Sequence, residues 1–178
     1  MICFKKISIL LFLLFGITIL YAEEFKGIHG FYLNDSKDKV FENAKKLGIF
    51  LNKKNENSYI GDSSSQEYAG YKVKEYYFVF WDDKLIRLEI RLKEVSDTSR
   101  QRIVSAIIDK YEFEQDLRYD RKFHIYSNFY NEIAFSYYEY ANVWDWDDLG
   151  LGFVYIDKLA EYNDWVEKKE ERDLYDSL

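Results

Sequence analysis

Residues 23–178 contain no cysteine; the one cysteine of the chain, Cys3, precedes its first apolar run. A lipid-modified cysteine would follow such a run, so Cys3 is assigned to a leader and no lipid anchor is expected. Without thiols, no disulfide can staple the remainder, and a hydrophobic core must carry its stability. A chain of this length suits one domain, which can bury roughly 68–70% of its unfolded surface.

Histidine is equally scarce. His29 and His124 are the only two, far apart and without HExxH-type spacing, so no zinc site is expected. His29 lies between Gly27 and Gly30 and reads as structural. His124 and Ser127 could be drawn into a Ser-His-acid constellation, but three positions along a strand place them on opposite faces. There is no glycine-rich phosphate loop. Gly150 and Gly152 sit inside a strand pattern, where a bulge or a close backbone approach is expected. Among 32 acidic residues, no pair stands out as a glycosidase dyad. No cofactor, metal or catalytic residue is therefore assigned, and a small exported enzyme is the least supported reading.

Long apolar runs are also missing. Ile7–Leu20 is apolar apart from Ser8, Gly16 and Thr18 and spans 14 residues, short of the roughly 20 a membrane-crossing helix needs. With Lys5 and Lys6 before it and Leu20-Tyr21-Ala22 after it, the layout is that of a secretory signal peptide over residues 1–22; an uncleaved anchor is the alternative. Export by the general secretory route is expected, to a periplasmic or secreted destination, with no membrane insertion after cleavage. Losing Lys5 and Lys6 takes the formal charge from −7 to −9. That balance argues against nucleic acid and anionic headgroups as partners. Proline is absent while Tyr, Phe and Trp number 17, 14 and 4. A/T-rich codon usage accounts for much of that excess, and strand content for part of the rest.

What is present reads as alternating helix and strand. "GIHGFYL" (27–33) is taken as a first strand. Asp35 or Ser36 caps a helix in which Val40, Phe41, Ala44 and Leu47 share a face and Gly48 suits the stop. A strand is expected over 49–54 and a polar loop over 55–70, with a short extended piece at Tyr59-Ile60. In "YKVKEYYFVFWDDKLIRLEIRLKEV", Ile86, Leu88, Ile90 and Leu92 alternate with Arg87, Glu89, Arg91 and Lys93. A two-residue turn would put Phe78 against Arg87. A three-residue turn at Asp82-Asp83-Lys84 pairs Phe80 with Ile86, Phe78 with Leu88, Tyr76 with Ile90 and Glu75 with Arg91, and is preferred. A second capped helix follows over 96–111, strands near 117–126, 131–141 and 149–156, and a solvated C-terminal helix over 158–174.

"VWDWDDLG" (143–150) shares Trp-Asp-Asp with "FWDDKL" (80–85). Asp145 and Asp147 match the start of an EF-hand loop, but Leu149 and Ile156 occupy positions that need oxygen ligands. A hairpin is the better reading. In both places the order is helix, strand, strand, Trp-Asp-Asp, strand. The expected fold is therefore α+β: an antiparallel sheet with helices mainly on one face, built as a tandem repeat of a helix followed by three strands. The half-repeats would be 27–95 and 96–157, within a single domain over 23–178.

"GFYLNDSKDKVFENAKKLG", a strand running into a helix with a Ser-x-x-x-Val start and a Leu-Gly end, resembles the opening of small exported domains. These are the β-lactamase-inhibitor-protein-like group and the outer-membrane-assembly lipoproteins of the same layout. The resemblance implies one or two helices per unit on a small antiparallel sheet, in tandem. Asn34-Asp35 replaces the usual Gly-Met, no proline follows the helix, and no family binding residue carries over.

In the preferred register, Tyr77, Val79 and Trp81 point away from the Ile86–Leu88–Ile90 face. If helices cover only that face, they form an exposed aromatic strip beside Arg87 and Arg91, residue types enriched in interface hot spots. The alternative is that a helix or the C-terminal segment covers this strip too. An exported, non-catalytic protein-binding or scaffold module is the leading functional reading, with an envelope or extracellular protein as partner. A carbohydrate-binding module, with Trp81, Trp144, Trp146 or Trp165 stacking on glycan rings, is the alternative.

Overall fold

The structure, a computed structural model, describes residues 25, 27–62, 65–115, 124–128, 133–139 and 148–176. The expected signal peptide and the residues Trp144, Asp145, Trp146 and Asp147 lie outside them.

Helix α1 (Lys37–Lys46) forms where a cap and an apolar spacing coincide. The Ser36 side chain accepts from the Lys39 N–H at 3.4 Å, satisfying one orphan donor of the first turn. Val40 and Ala44, four apart, are its buried residues, and Lys45 and Lys46 oppose the dipole in the last turn. Ser96 caps helix α2 (Asp97–Tyr111) in the same way, and Glu112 ends it in the left-handed region.

The strands are β1 (Phe50–Lys53), β2 (Ser58–Asp62), β3 (Glu67–Tyr68), β4 (Tyr71–Trp81), β5 (Lys84–Leu92), β6 (Glu114–Gln115), β7 (His124–Asn128), β8 (Ile133–Glu139) and β9 (Leu149–Tyr155), and helix α3 (Ile156–Asp176) follows directly. They form one antiparallel sheet in the order β1-β2-β4-β5-β9-β8-β7-β6, with β3 paired to the start of β4. The fold is α+β, as expected. Each of α1 and α2 is followed by four strands of the main sheet rather than three, because residues 55–70 supply β2 and residues 114–115 supply β6. The last strands of the two halves, β5 and β9, pair at the centre. Of "VWDWDDLG", Leu149 and Gly150 open β9, and the hairpin expected at 143–147 lies outside the described residues.

Alternation sorts the side chains onto two faces. Tyr76, Phe78 and Phe80 of β4, Leu88, Ile90 and Leu92 of β5, Leu149, Leu151 and Phe153 of β9, and Ile133 and Phe135 of β8 join one buried cluster. Val40 and Ala44 of α1 and Ile103, Val104, Ile107 and Tyr111 of α2 close it. Phe25 stacks on Phe153 at 4.0 Å, adding the chain's lead segment to the same face.

Two local readings are corrected. Residues 27–33 are a tight turn, not a strand. Ile28 and Phe31 exchange backbone hydrogen bonds of 3.0 and 2.9 Å, with His29 and Gly30 between them at φ 52° and 77°. Two consecutive positive φ values reverse the chain where an extended run was expected.

The β4–β5 turn is two residues long, not three: Trp81 pairs with Lys84, and Asp82 and Asp83 have φ of 48° and 59°. Phe80 consequently pairs with Leu85, not Ile86. A bulge then makes Ile86 the extra residue on β5, and the ladder resumes as Val79↔Arg87, Phe78↔Leu88, Tyr76↔Ile90 and Glu75↔Arg91. The cross-strand pairs were thus anticipated through the wrong turn. Leu85 takes the core position expected of Ile86.

Because Asp83 pays for a left-handed backbone that glycine adopts freely, Asp83→Gly should raise stability by about 0.5 kcal/mol. A urea titration read by circular dichroism checks this; a lower midpoint would contradict the turn assignment.

Candidate functional site

The face of the sheet opposite α1 and α2 carries the candidate residues. On β4, Tyr77, Val79 and Trp81 alternate with the core positions. Val79 and Ile86 are 3% and 1% exposed, yet neither belongs to the main core cluster. Helix α3 lies on this same face. Leu159, Tyr162, Trp165, Val166 and Lys169 recur at helical spacing and are half-buried, while Ala160, Glu161, Asn163, Asp164, Glu167, Lys168 and Glu170 are exposed. The half-buried stripe meets β4: Trp81 packs on Trp165 at 5.2 Å and 52°, and on Tyr162 at 5.9 Å and 67°.

Of the two alternatives for the strip, cover by the C-terminal segment holds at its Trp81 end. Rather than removing the aromatic surface, α3 enlarges it. Tyr77, Trp81, Tyr162 and Trp165 are all half-buried, and cations rim them. Lys54 and Arg87 lie 5.3 and 5.9 Å from the Tyr77 ring centroid, and Lys169 lies 5.0 Å from that of Trp165. Lys169 also bridges to Glu56 at 2.6 Å, which holds the Glu56 carboxyl below the usual carboxylate range. Burial pushes the Tyr162 hydroxyl up.

The two arginines have different roles. Arg87 is half-exposed and pairs with Glu89, its neighbour two positions along β5. Arg91 is committed to structure: its Nε lies 2.9 Å from Asp148 Oδ2, and Glu75 lies 3.5 Å away. Asp148 also receives Lys74 Nζ at 3.0 Å. A second register shift, between Val73 and Glu75, makes Lys74 the extra residue on β4 and lets it reach this face. The network ties β4, β5 and the start of β9 together. Sequence spacing could supply the Glu75–Arg91 pair, but Asp148 and Lys74 depend on the bulge and on β5–β9 pairing.

His29 is a structural residue. Its Nε2 lies 2.9 Å from the Glu67 carbonyl, which can only accept, so Nδ1 accepts from the Tyr76 hydroxyl at 2.5 Å. Asn43 donates to the His29 carbonyl at 2.9 Å. These bonds fasten the lead turn to α1, β3 and β4. His124 and Ser127 both lie in β7.

Among the described residues, no three His, Cys, Asp or Glu side chains come together as a metal cage, and no helix is long and apolar enough to cross a membrane. Comparison with family models, curated proteins and solved structures finds no match for the chain.

Arg91→Ala strips Asp148 of its closest partner and should cost on the order of 3 kcal/mol, whereas Glu75→Ala, at the more exposed end, should cost about 0.5 kcal/mol. Urea unfolding of the two variants checks the order; equal losses would contradict the network.

Alkaline pH offers a second test. Burial first, then the neighbouring Tyr111, pushes the Tyr68 hydroxyl up to about 12, and burial pushes Tyr76 up as well. Both folded values exceed the ordinary one, so their contribution is complete below pH of about 10 and is lost as pH rises through the folded values. Stability should fall steeply above pH 10, and less steeply in Tyr68→Phe. Identical pH profiles would refute the assignment.

Proposed function

We propose that this chain is exported and works as a non-catalytic protein-binding module, holding an envelope or extracellular protein on the face shared by β4 and α3. The observation that carries the reading is the aromatic patch itself. Tyr77, Trp81, Tyr162 and Trp165 are half-buried where two elements meet, with Lys54, Arg87 and Lys169 around them. Large aromatics rimmed by cations, neither sealed in a core nor scattered singly, match the composition of interface hot spots. Arg87 and Lys169 are already paired, with Glu89 and Glu56, so the aromatic rings favour a partner presenting apolar side chains. The earlier alternative of a sugar platform fits less well. A stacking platform needs an open, flat ring face, and Trp81 and Trp165 pack against each other at 52°.

The test is retention of partners from an envelope extract by the immobilised full chain, compared with a Tyr77→Ala/Trp165→Ala variant. One protein held by the wild type should be lost by roughly a hundredfold in affinity, the scale of removing two hot-spot residues, with circular dichroism unchanged. Equal retention by both proteins, or retention of glycan alone, would overturn the reading.

A further inference from the structure

Helix α3 is held differently from the other two. Val40 and Ala44 of α1, and Ile103, Val104, Ile107 and Tyr111 of α2, are buried. From Ile156 to Glu170, α3 has no buried residue; even its sheet-facing stripe is half-buried. Its tether to the far side of the sheet is the Lys169–Glu56 ion pair, joining a half-buried lysine to an exposed glutamate. Such a pair holds weakly in water.

What lies beneath α3 is drier than α3 itself. Val79 stands between Tyr77 and Trp81 on the same face of β4. Tyr162 packs on Trp81 and lies near enough to Tyr77 to perturb its own hydroxyl, so the helix flanks the row in which Val79 is the middle residue. Ser58 pairs with Val79 across the ladder. Its hydroxyl is wholly buried and has no hydrogen-bond partner among the described residues. A buried hydroxyl without a partner is a standing penalty of the docked state, relieved when water reaches it. Glu56, two residues before Ser58, holds the tether.

We propose that α3 is a displaceable strap. Docked, it caps the satellite cluster of Val79 and Ile86; lifted, it uncovers Tyr77, Val79, Trp81 and Ile86 as one apolar band and opens Ser58 to water. The main core, closed by α1 and α2, stays intact throughout. This rests on reading the β4 face as an interaction surface, and the strap then sets how much of that surface a partner reaches.

Thiol labelling tests the strap with no partner present. In the full chain with Cys3→Ser, Val79→Cys places a thiol under α3, and Leu88→Cys places one in the main core. Local opening of α3 should label the first at least about tenfold faster than the second, since subglobal openings need less free energy than global unfolding. Trp165→Ala should accelerate labelling at 79 and leave that at 88 unchanged. Should Leu88→Cys not fold, Val104→Cys beneath α2 serves as the core control. Equal labelling of both sites, with or without Trp165, would show that α3 leaves only with global unfolding and would overturn the proposal. Failure here leaves the binding reading standing, and failure of partner capture leaves the motion of α3 standing but removes its part in admitting a partner.

Discussion

Everything on both faces of the sheet depends on the register of β4 against β5. Side chains alternate along each strand, so a slip of one residue would exchange the two faces. The two-residue turn at Asp82-Asp83 would impose such a slip if the ladder ran straight back from it. The bulge at Ile86 removes the slip, and the second shift, at Lys74, adds the polar residue that reaches Asp148. Between these two irregularities, Tyr76 and Phe78 face α1 and α2, while Tyr77 and Val79 face α3.

The two faces are closed to different degrees, and the difference is chemical. The larger face is a continuous apolar cluster from Phe31 through Phe78, Leu88 and Leu151 to Phe135. Phe31, Tyr76 and Phe78 lock edge-to-face or stacked at 4.9–5.9 Å, contacts that add to area burial. The smaller face mixes Val79 and Ile86 with the Arg87–Glu89 pair and the Arg91–Asp148 network. Gly152 keeps it flat: a Cβ there would meet Ser136 Oγ at 2.9 Å. A face so divided gives α3 little apolar area to bury, and α3 answers with amphipathic Tyr and Trp, which tolerate half-exposure.

Much of this was legible in the sequence, for reasons particular residues make plain. Ser36 and Ser96 announce both capped helices, and the alternation in "LIRLEIRL" announces β5. Of β2 only the extended piece at Tyr59-Ile60 was legible in a polar stretch, and β3 was not, because tertiary pairing, not propensity, makes them; a Cβ at Gly61 in β2 would meet Ile49 Cγ2 at 2.7 Å. The turn at His29-Gly30 was hidden because a non-glycine residue adopts positive φ there, held by its bonds to Tyr76 and Glu67. At the candidate surface, Tyr77, Trp81 and Arg87 could be named from strand parity, but Tyr162 required knowing where α3 docks. Arg91 has the right residue type for a hot spot, and only the position of Asp148 shows it to be committed elsewhere.

The central claim is that one face of β4 packs into the core while the other carries α3, in the bulged register. A nuclear Overhauser spectrum of the isotope-labelled chain tests this most directly. The account predicts cross-strand contacts for Trp81–Lys84 and Tyr77–Glu89 in the same hairpin, together with contacts between the Trp81 indole and the Tyr162 ring. A Phe80–Ile86 pairing, or a Trp81 indole without contact to Tyr162 or Trp165, would contradict it.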